Sequence, residues 1–215
     1  EHVAGELRSV LPPDLVRRID WSTLTLCPGS FVDEALAQSH TDLLFSVLLD
    51  AEPTFLYLLF EHQSTEVPLM PLRLLRYEVH IWDTWLAANP DGKKLPPIVP
   101  VVLHHSEAGW RVATAFEDIL AISAGAFAAL APFVPRFRFI LDDISKTDDE
   151  ALRRRAMTAL GKLALWCFRD VRKPGELLRN LARFRDLFEE VRTAPSGLKA
   201  ATAVLTYILN ATGGL

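Results

Sequence analysis

The sequence predicts an α/β fold with a mixed central sheet, followed by a C-terminal helical segment. Half of the 215 residues are hydrophobic and 23% are charged, a balance that excludes a disordered chain. Up to about residue 149, the periodic segments follow the order helix, strand, strand, helix, strand, helix, strand. From residue 150 onward they are all helical. We therefore expect a core over residues 1–149 and a helical extension over residues 150–215, packed on the core or linked to it.

The first elements are short. Pro12 and Pro13 suit the first turn of a helix over residues 11–19, and residues 20–23 have the composition of a loop. Ser30 is a suitable N-cap for a second helix that ends near Ser39. Two β-forming runs, residues 42–50 and 55–64, then predict a hairpin joined through residues 51–54.

The later elements alternate. Apolar residues spaced by three and four predict a helix over residues 69–88, with Leu72, Leu75, Val79, Trp82 and Leu86 as its apolar stripe. A buried strand over 98–103, an Ala-rich helix over 116–130 and a strand over 137–141 follow. Pro-Gly and Pro-Ser-Gly breaks interrupt the terminal helices at residues 174 and 195.

Composition narrows the function classes. A net charge of −4 argues against a charge-dominated nucleic-acid binder, although residues 151–198 carry eleven Lys/Arg against five Asp/Glu. Two cysteines far apart in sequence fit a reducing cytosol, and no apolar run is long enough to span a membrane. A Gly-rich phosphate loop is also absent from the sequence. Because the sequence starts at Glu1 without a leader, we expect it to begin inside a longer gene product.

Acidic residues mark both strands of the predicted hairpin. If the chain reverses at Ala51-Glu52, Asp42 faces Glu61, and two opposed carboxylates need a cation or a proton between them. Such a pair suits Mg²⁺ or Mn²⁺ together with substrate phosphate oxygens, and Gln63 on the same face could orient water. The alternative is that Asp42 caps its strand and Glu61 lies at a solvated edge.

Basic and aromatic residues give weaker signals. Arg73 and Tyr77 begin a second stripe on the helix over 69–88, which indicates either phosphate contact or ordinary solvation and packing. The run Arg153-Arg154-Arg155 offers a positive surface for a polyanion, or a solvated helix face. His104 and His105 end a strand, but the spacing provides no third ligand for zinc.

Several of these strings resemble one family in combination. The resemblance runs in order over residues 10–155, to the YhgA-like putative transposase family, also called the Rpn recombination-promoting nucleases of the PD-(D/E)XK superfamily. The strings are Asp20-Trp21-Ser22-Thr23-Leu24, Ser30-Phe31-Val32-Asp33-Glu34, Asp42-Leu43-Leu44-Phe45, Tyr57-Leu58-Leu59-Phe60-Glu61-His62-Gln63-Ser64, Met70-Pro71-Leu72-Arg73-Leu74-Leu75-Arg76-Tyr77 and Pro100-Val101-Val102-Leu103-His104-His105.

The resemblance implies a restriction-endonuclease-like αβββαβ core and a Mg²⁺-dependent DNA endonuclease. It gives Asp42 and Glu61 the metal-binding positions, and Gln63 the position that usually holds Lys. Glu34 matches an acid that many superfamily members add to the metal site, although helix N-terminal charge stabilisation explains it equally well. The implied partner is DNA, and the implied location is the cytoplasm, on the nucleoid when DNA is bound. A homo-oligomer is compatible with the sequence.

Two other functions stay open at this point. One is a non-catalytic DNA-binding or oligomerising module derived from the nuclease fold, which would differ in lacking a divalent-metal site. The other is a protein-interaction scaffold that uses an amphipathic helix over residues 177–191.

Overall fold

The computed structural model describes residues 2–28, 41–61, 67–106, 108–170 and 181–194, together with Lys199, Thr202 and Thr206. It forms two compact units. The sheet unit is Pro12–Asp143, and the helical unit combines Glu1–Leu11 with Ile144–Leu215. The division into a nuclease core over 1–149 and an extension over 150–215 as domains stays a prediction.

The described helices and strands follow one another in an alternating order. They are α1 (His2–Val10), α2 (Pro13–Arg18), β1 (Ile19–Leu26), β2 (Thr41–Leu49), β3 (Glu52–Glu61), α3 (Met70–Ala88), β4 (Ile98–His104), α4 (Ala124–Leu130), β5 (Ile140–Asp143), α5 (Asp149–Arg154), α6 (Ala159–Asp170) and α7 (Arg185–Thr193).

The strands form one mixed sheet in the order β1-β2-β3-β4-β5. β1, β2 and β3 are antiparallel neighbours, whereas β3, β4 and β5 run parallel. The predicted α/β class is thus confirmed. The order α2-β1-β2-β3-α3-β4 is αβββαβ, consistent with a restriction-endonuclease-like core.

The hairpin between β2 and β3 has a shorter connection than the sequence suggested. Asp50 and Ala51 both have positive φ angles, 50° and 67°, as the primed two-residue hairpin turns require. Pro53 therefore lies inside β3, where it pairs with Leu48. It is tolerated near the beginning of the strand, because the pairing of β3 with β4 starts only at Phe55.

The predicted loop over residues 20–23 is wrong, because β1 continues through it with an irregularity. Its register against β2 shifts between Asp20 and Thr25. Within this stretch the Thr23 hydroxyl accepts a hydrogen bond from the backbone N–H of Leu48 at 2.9 Å, and the Asp20 carboxylate accepts from Ser22. Short polar side chains thus replace ladder bonds, which explains why their composition is typical of a loop.

Helix α3 covers one face of the sheet, but not with the stripe that the sequence predicted. Val79 and Leu86 of that stripe are exposed. The helix packs instead through Met70, Leu74, Tyr77 and Ile81, which also recur at spacings of four, three and four. Its core partners from the strands are Leu44, Phe55, Tyr57, Leu59, Val102 and Phe139.

The crossover from β4 to β5 does not contain the single helix expected over residues 116–130. A 3₁₀ turn at Phe116–Ile119 is followed by extended residues and then by α4. Ser123 is extended at the N-cap position of α4 and separates the two pieces. Strand β5 begins at Ile140, three residues later than predicted, and Arg138 forms only an isolated bridge with Ala115.

The helical unit is built around aromatic stacking. Trp166 of α6 is fully buried and stacks on Phe184 with ring centroids 4.5 Å apart. The amphipathic segment expected over residues 177–191 is, in its described part, a 3₁₀ turn at Leu181–Phe184 followed by α7. Within the described ranges, every helix is too short or too polar to cross a lipid bilayer.

Candidate functional site

The parallel strands of the sheet unit end side by side. Glu61, the last residue of β3, pairs with His104, the last residue of β4, and His104 pairs in turn with Asp143 of β5. Residues that pair across neighbouring strands share a face of the sheet. Leu59 and Val102, two residues earlier on β3 and β4, lie in the core beneath α3. Positions 61, 104 and 143 therefore continue that face beyond the apolar core.

The expected pairing of Asp42 with Glu61 is wrong by two residues. Because the hairpin turn is tight, Asp42 pairs with Leu59 instead. Position 42 still shares a face with position 61, since residues 59 and 61 of a strand point the same way. The two acidic positions are thus diagonal neighbours, for which typical Cα separations are roughly 7–8 Å. We call positions 42, 61, 104 and 143 the strand-end row.

Some predicted site residues lie beyond what the structure describes. Gln63 and Glu34 fall outside the described residues, as do the side chains of Asp42 and Glu61. Among the side chains inside the described ranges, no three His, Cys, Asp or Glu groups form a metal-binding cluster. The roles of Asp42, Glu61, Gln63 and Glu34 consequently stay predictions.

Arg73 and Tyr77 lie on the same side of the sheet as the strand-end row. Tyr77 is buried and its ring lies 5.4 Å from that of Tyr57 on β3. The Arg73 guanidinium donates to the Tyr77 hydroxyl at 3.3 Å and lies 5.6 Å from the centre of its ring. Arg73 is one helical turn closer to the beginning of α3, the end that follows β3 in the chain. The sequence placed both residues on a polar stripe, whereas Tyr77 is part of the core.

The loop after β4 folds back over the strand end. Ser106 accepts a hydrogen bond from the backbone N–H of Gly109 at 3.0 Å, and Gly109 has a φ of 73°, which favours glycine. Trp110 then donates its backbone N–H to the Asp143 carboxylate at 2.8 Å. This bond joins the loop to the end of β5.

The histidine of the strand-end row is enclosed by this loop. His104 is 1% exposed, and its Nε2 lies 3.0 Å from the Ser106 hydroxyl. Its ring meets the Trp110 ring edge to face, with centroids 5.0 Å apart. Sequence reasoning considered His104 only for zinc and gave Asp143 no role. The signal that could have placed them is that ends of parallel strands meet at one edge of a sheet.

The basic run of the helical unit is largely engaged in ion pairs. Arg155 pairs with the buried Glu6 at 2.8 Å. Arg153 pairs with Asp186 at 2.7 Å and lies over the Phe184 ring. The hydrogen bond from Arg153 lowers the pKa of Asp186 to about 2. Arg154 is exposed and contacts Glu150 one turn away, so it is the member of the run best placed to meet an external anion. DNA binding by the three stays a prediction.

The fold and the strand-end row define a class: an α/β chain whose antiparallel hairpin brings acidic positions to the ends of parallel strands, as in restriction-endonuclease-like cores. The model of the family described as "Putative transposase, YhgA-like" matches residues 1–199. The chain belongs to this family.

Curated relatives carry nuclease names. The chain is 32% identical to recombination-promoting nuclease RpnA of Escherichia coli K12 over 151 residues, 70% of this chain and 50% of that protein. It is 32% identical to RpnC of the same organism over 179 residues, 82% of this chain and 52% of that protein. It is also 31% identical to "Inactive recombination-promoting nuclease-like protein RpnE" of that strain over 97 residues, 45% of this chain and 32% of that protein.

These matches cover only part of the relatives. The chain spans about half the length of RpnA and RpnC. No solved structure matches it. The family is therefore one of nucleases, and it includes members labelled inactive.

Proposed function

We propose that the chain is the nuclease portion of a metal-dependent DNA endonuclease that promotes recombination by hydrolysing phosphodiester bonds. The observation that carries the proposal is the register of β2 and β3, which puts Asp42 and Glu61 diagonally on one face at the ends of parallel strands. The names of RpnA and RpnC support the same activity.

The donor set fits a hard divalent cation. Carboxylate oxygens suit Mg²⁺ or Mn²⁺, which need only one or two protein carboxylates beside phosphate oxygens and water. A diagonal separation of roughly 7–8 Å between Cα atoms leaves room for one ion to be held by an oxygen from each side chain. Glu34 is an additional candidate ligand. When bound, Mg²⁺ polarises the phosphodiester and makes water a better nucleophile.

The remaining chemistry belongs to the side chains of this protein. Gln63, two residues beyond Glu61, is proposed to orient the attacking water through its amide. Arg73 is proposed to contact a DNA phosphate, because its guanidinium is charged, partly exposed and held by Tyr77. The Tyr57–Tyr77 ring contact fixes Tyr77 on the sheet and thereby limits the positions that Arg73 can adopt.

DNA as the substrate implies where the protein works. We place it in the cytoplasm, on the nucleoid when DNA is bound. The basic helical unit is proposed to add non-specific phosphate contacts through exposed arginines such as Arg154. Self-association is proposed as a further property, and light scattering of the purified protein would measure it.

The test is plasmid cleavage with and without Mg²⁺. Glu61→Ala or Asp42→Asn should lower the cleavage rate by at least about a hundredfold, the order seen when one preorganised electrostatic group is lost. Both variants should keep the wild-type circular dichroism spectrum. Glu52→Ala is the matched control, because it removes an exposed acid from the other end of β3. Wild-type cleavage rates in Glu61→Ala would disprove the two-carboxylate site.

The label of RpnE as inactive favours one alternative, a non-catalytic DNA-binding or oligomerising module on the same fold. That module would bind DNA without Mg²⁺-dependent cleavage. Its melting temperature would also be insensitive to added Mg²⁺, which separates it from the endonuclease in a single titration.

A further inference from the structure

The loop after β4 holds the His104 ring in one orientation. The ring is buried, its Nε2 lies 3.0 Å from the Ser106 hydroxyl, and Trp110 packs against it edge to face. Trp110 is itself fixed, because its indole N–H donates to the carbonyl of Val112 at 2.8 Å and its ring packs against Phe139. Such enclosure is more than a strand end needs for packing alone.

The hydrogen bonds around Ser106 indicate which nitrogen of His104 carries the proton. The Ser106 oxygen accepts from the backbone N–H of Gly109. Its single hydroxyl hydrogen then has two acceptors, the carbonyl of Gly109 at 3.5 Å and Nε2 of His104 at 3.0 Å. The shorter distance favours Nε2 as the acceptor. A neutral imidazole that accepts at Nε2 carries its hydrogen at Nδ1.

The position of Nδ1 relates this hydrogen to the strand-end row. Nδ1 is buried and belongs to the residue that pairs with Glu61 in the parallel ladder. Neighbouring strands lie about 4.8 Å apart, and in-register residues share a face, so the imidazole and the Glu61 carboxylate are within mutual reach. An N–H donor beside a ligating carboxylate is the usual way in which proteins orient a metal ligand.

We propose that His104 is a positioning residue that donates its Nδ1–H to Glu61 and fixes the orientation of that carboxylate. The proposal rests on the proposed function, because it takes Glu61 as a metal ligand. Ser106 and Trp110 serve this role by selecting the tautomer and the ring plane. His105, the next residue, points to the opposite face and has no such role.

Two isosteric substitutions separate positioning from packing. The side-chain amide of Asn presents an N–H near the place of Nδ1, whereas that of Gln reaches the place of Nε2. The readout is the Mg²⁺ concentration at the midpoint of thermal stabilisation of the full chain, without DNA. His104→Gln and His104→Ala should raise this midpoint about ten- to a hundredfold, the usual cost of removing such a partner. His104→Asn should stay within about threefold of wild type.

The matched control is His105→Gln, which changes an equally buried neighbour and should leave the Mg²⁺ midpoint unchanged. Equal midpoints for His104→Asn and His104→Gln would overturn the positioning role, as would a lower melting temperature with an unchanged midpoint. If the His104 variants do not fold, Ser106→Ala decides, since it removes only the bond to Nε2 and should still raise the midpoint. A wild-type protein that does not respond to Mg²⁺ would instead refute the proposed function itself.

Discussion

Arg73 and Arg76 carry the same charge on the same helix and differ in their surroundings. Arg73 is half-buried and contacts Tyr77, whereas Arg76 is exposed. Arg73→Gln should raise the KM for DNA about tenfold or more with little change in melting temperature, because a charged hydrogen bond to phosphate contributes about 1.5–3 kcal/mol. Arg76→Gln is the control and should have no such effect. Similar KM values for the two variants would exclude Arg73 from the DNA interface.

Glu78 is a buried acid on the face of α3 that packs on the core. Burial raises its pKa from 4.5 to about 7. A carboxyl whose pKa is raised by folding favours the folded state while it is protonated. Its contribution is therefore complete below about pH 4.5 and is lost as the pH rises to about 7.

Glu78→Gln should remove that loss. The free energy of unfolding of the wild type should fall by about 3 kcal/mol from this group between pH 4.5 and 7, and the variant should lack this fall. Urea titrations at several pH values measure it, with exposed Asp83→Asn on the same helix as the control. Parallel pH profiles for wild type and Glu78→Gln would contradict the assignment.

At the scale of elements, hydrophobic periodicity predicted that α3 exists but not which side it buries. The helix carries two apolar stripes with the same spacing, one through Leu72 and Val79 and one through Leu74 and Ile81. Periodicity alone cannot separate them. The sheet selects the second stripe, because Tyr77 in that register packs against Tyr57.

Turn chemistry decided the register of the candidate site. Pro53 suggested a four-residue connection, which would have paired Asp42 with Glu61. The chain instead turns at Asp50-Ala51, two non-glycine residues with positive φ that no composition rule favours as a pair. Alternation preserved the shared face of the two acids, since a slip of two residues returns each side chain to its original side. The face was predictable, and the partner was not.

The N-terminal helix α1 is held in the helical unit by a largely buried ion pair. Glu6 is 5% exposed and Arg155 at the end of α5 is 12% exposed at the side chain, with 2.8 Å between them. Arg155→Met should lower the free energy of unfolding by about 3–5 kcal/mol, because it leaves the Glu6 charge buried. The double variant Glu6→Gln/Arg155→Met should recover part of that loss.

Chemical denaturation measures the effect, and exposed Arg154→Met beside it is the matched control. A loss of DNA affinity in Arg155→Met without a loss of stability would reverse the interpretation. Arg155 would then be a DNA contact rather than a structural residue.

At the scale of the whole molecule, the charge is unevenly distributed. The chain has a net charge of −4, yet residues 151–198 carry more than twice as many basic as acidic residues. An acidic protein that binds DNA needs a local positive surface, and exposed arginines of the helical unit provide one. Arg154 and Arg192 are both exposed and form ion pairs within their own helices. Such surface pairs contribute about 0–1 kcal/mol, so their removal should not unfold the protein.

Neutralising both residues, as Arg154→Gln/Arg192→Gln, should weaken binding to every DNA sequence to the same extent. The slope of log affinity against log salt concentration should flatten by about 0.9 for each DNA phosphate that the variant no longer neutralises, and cleavage at saturating DNA should hardly change. Fluorescence anisotropy across a salt series measures the slope. Arg17→Gln, an equally exposed arginine paired with Asp14 in the sheet unit, is the control. If the double variant keeps the affinity and the salt slope of the wild type, the helical unit does not bind phosphates through these arginines, and the sheet unit, with Arg73 first among its candidate residues, must account for DNA binding.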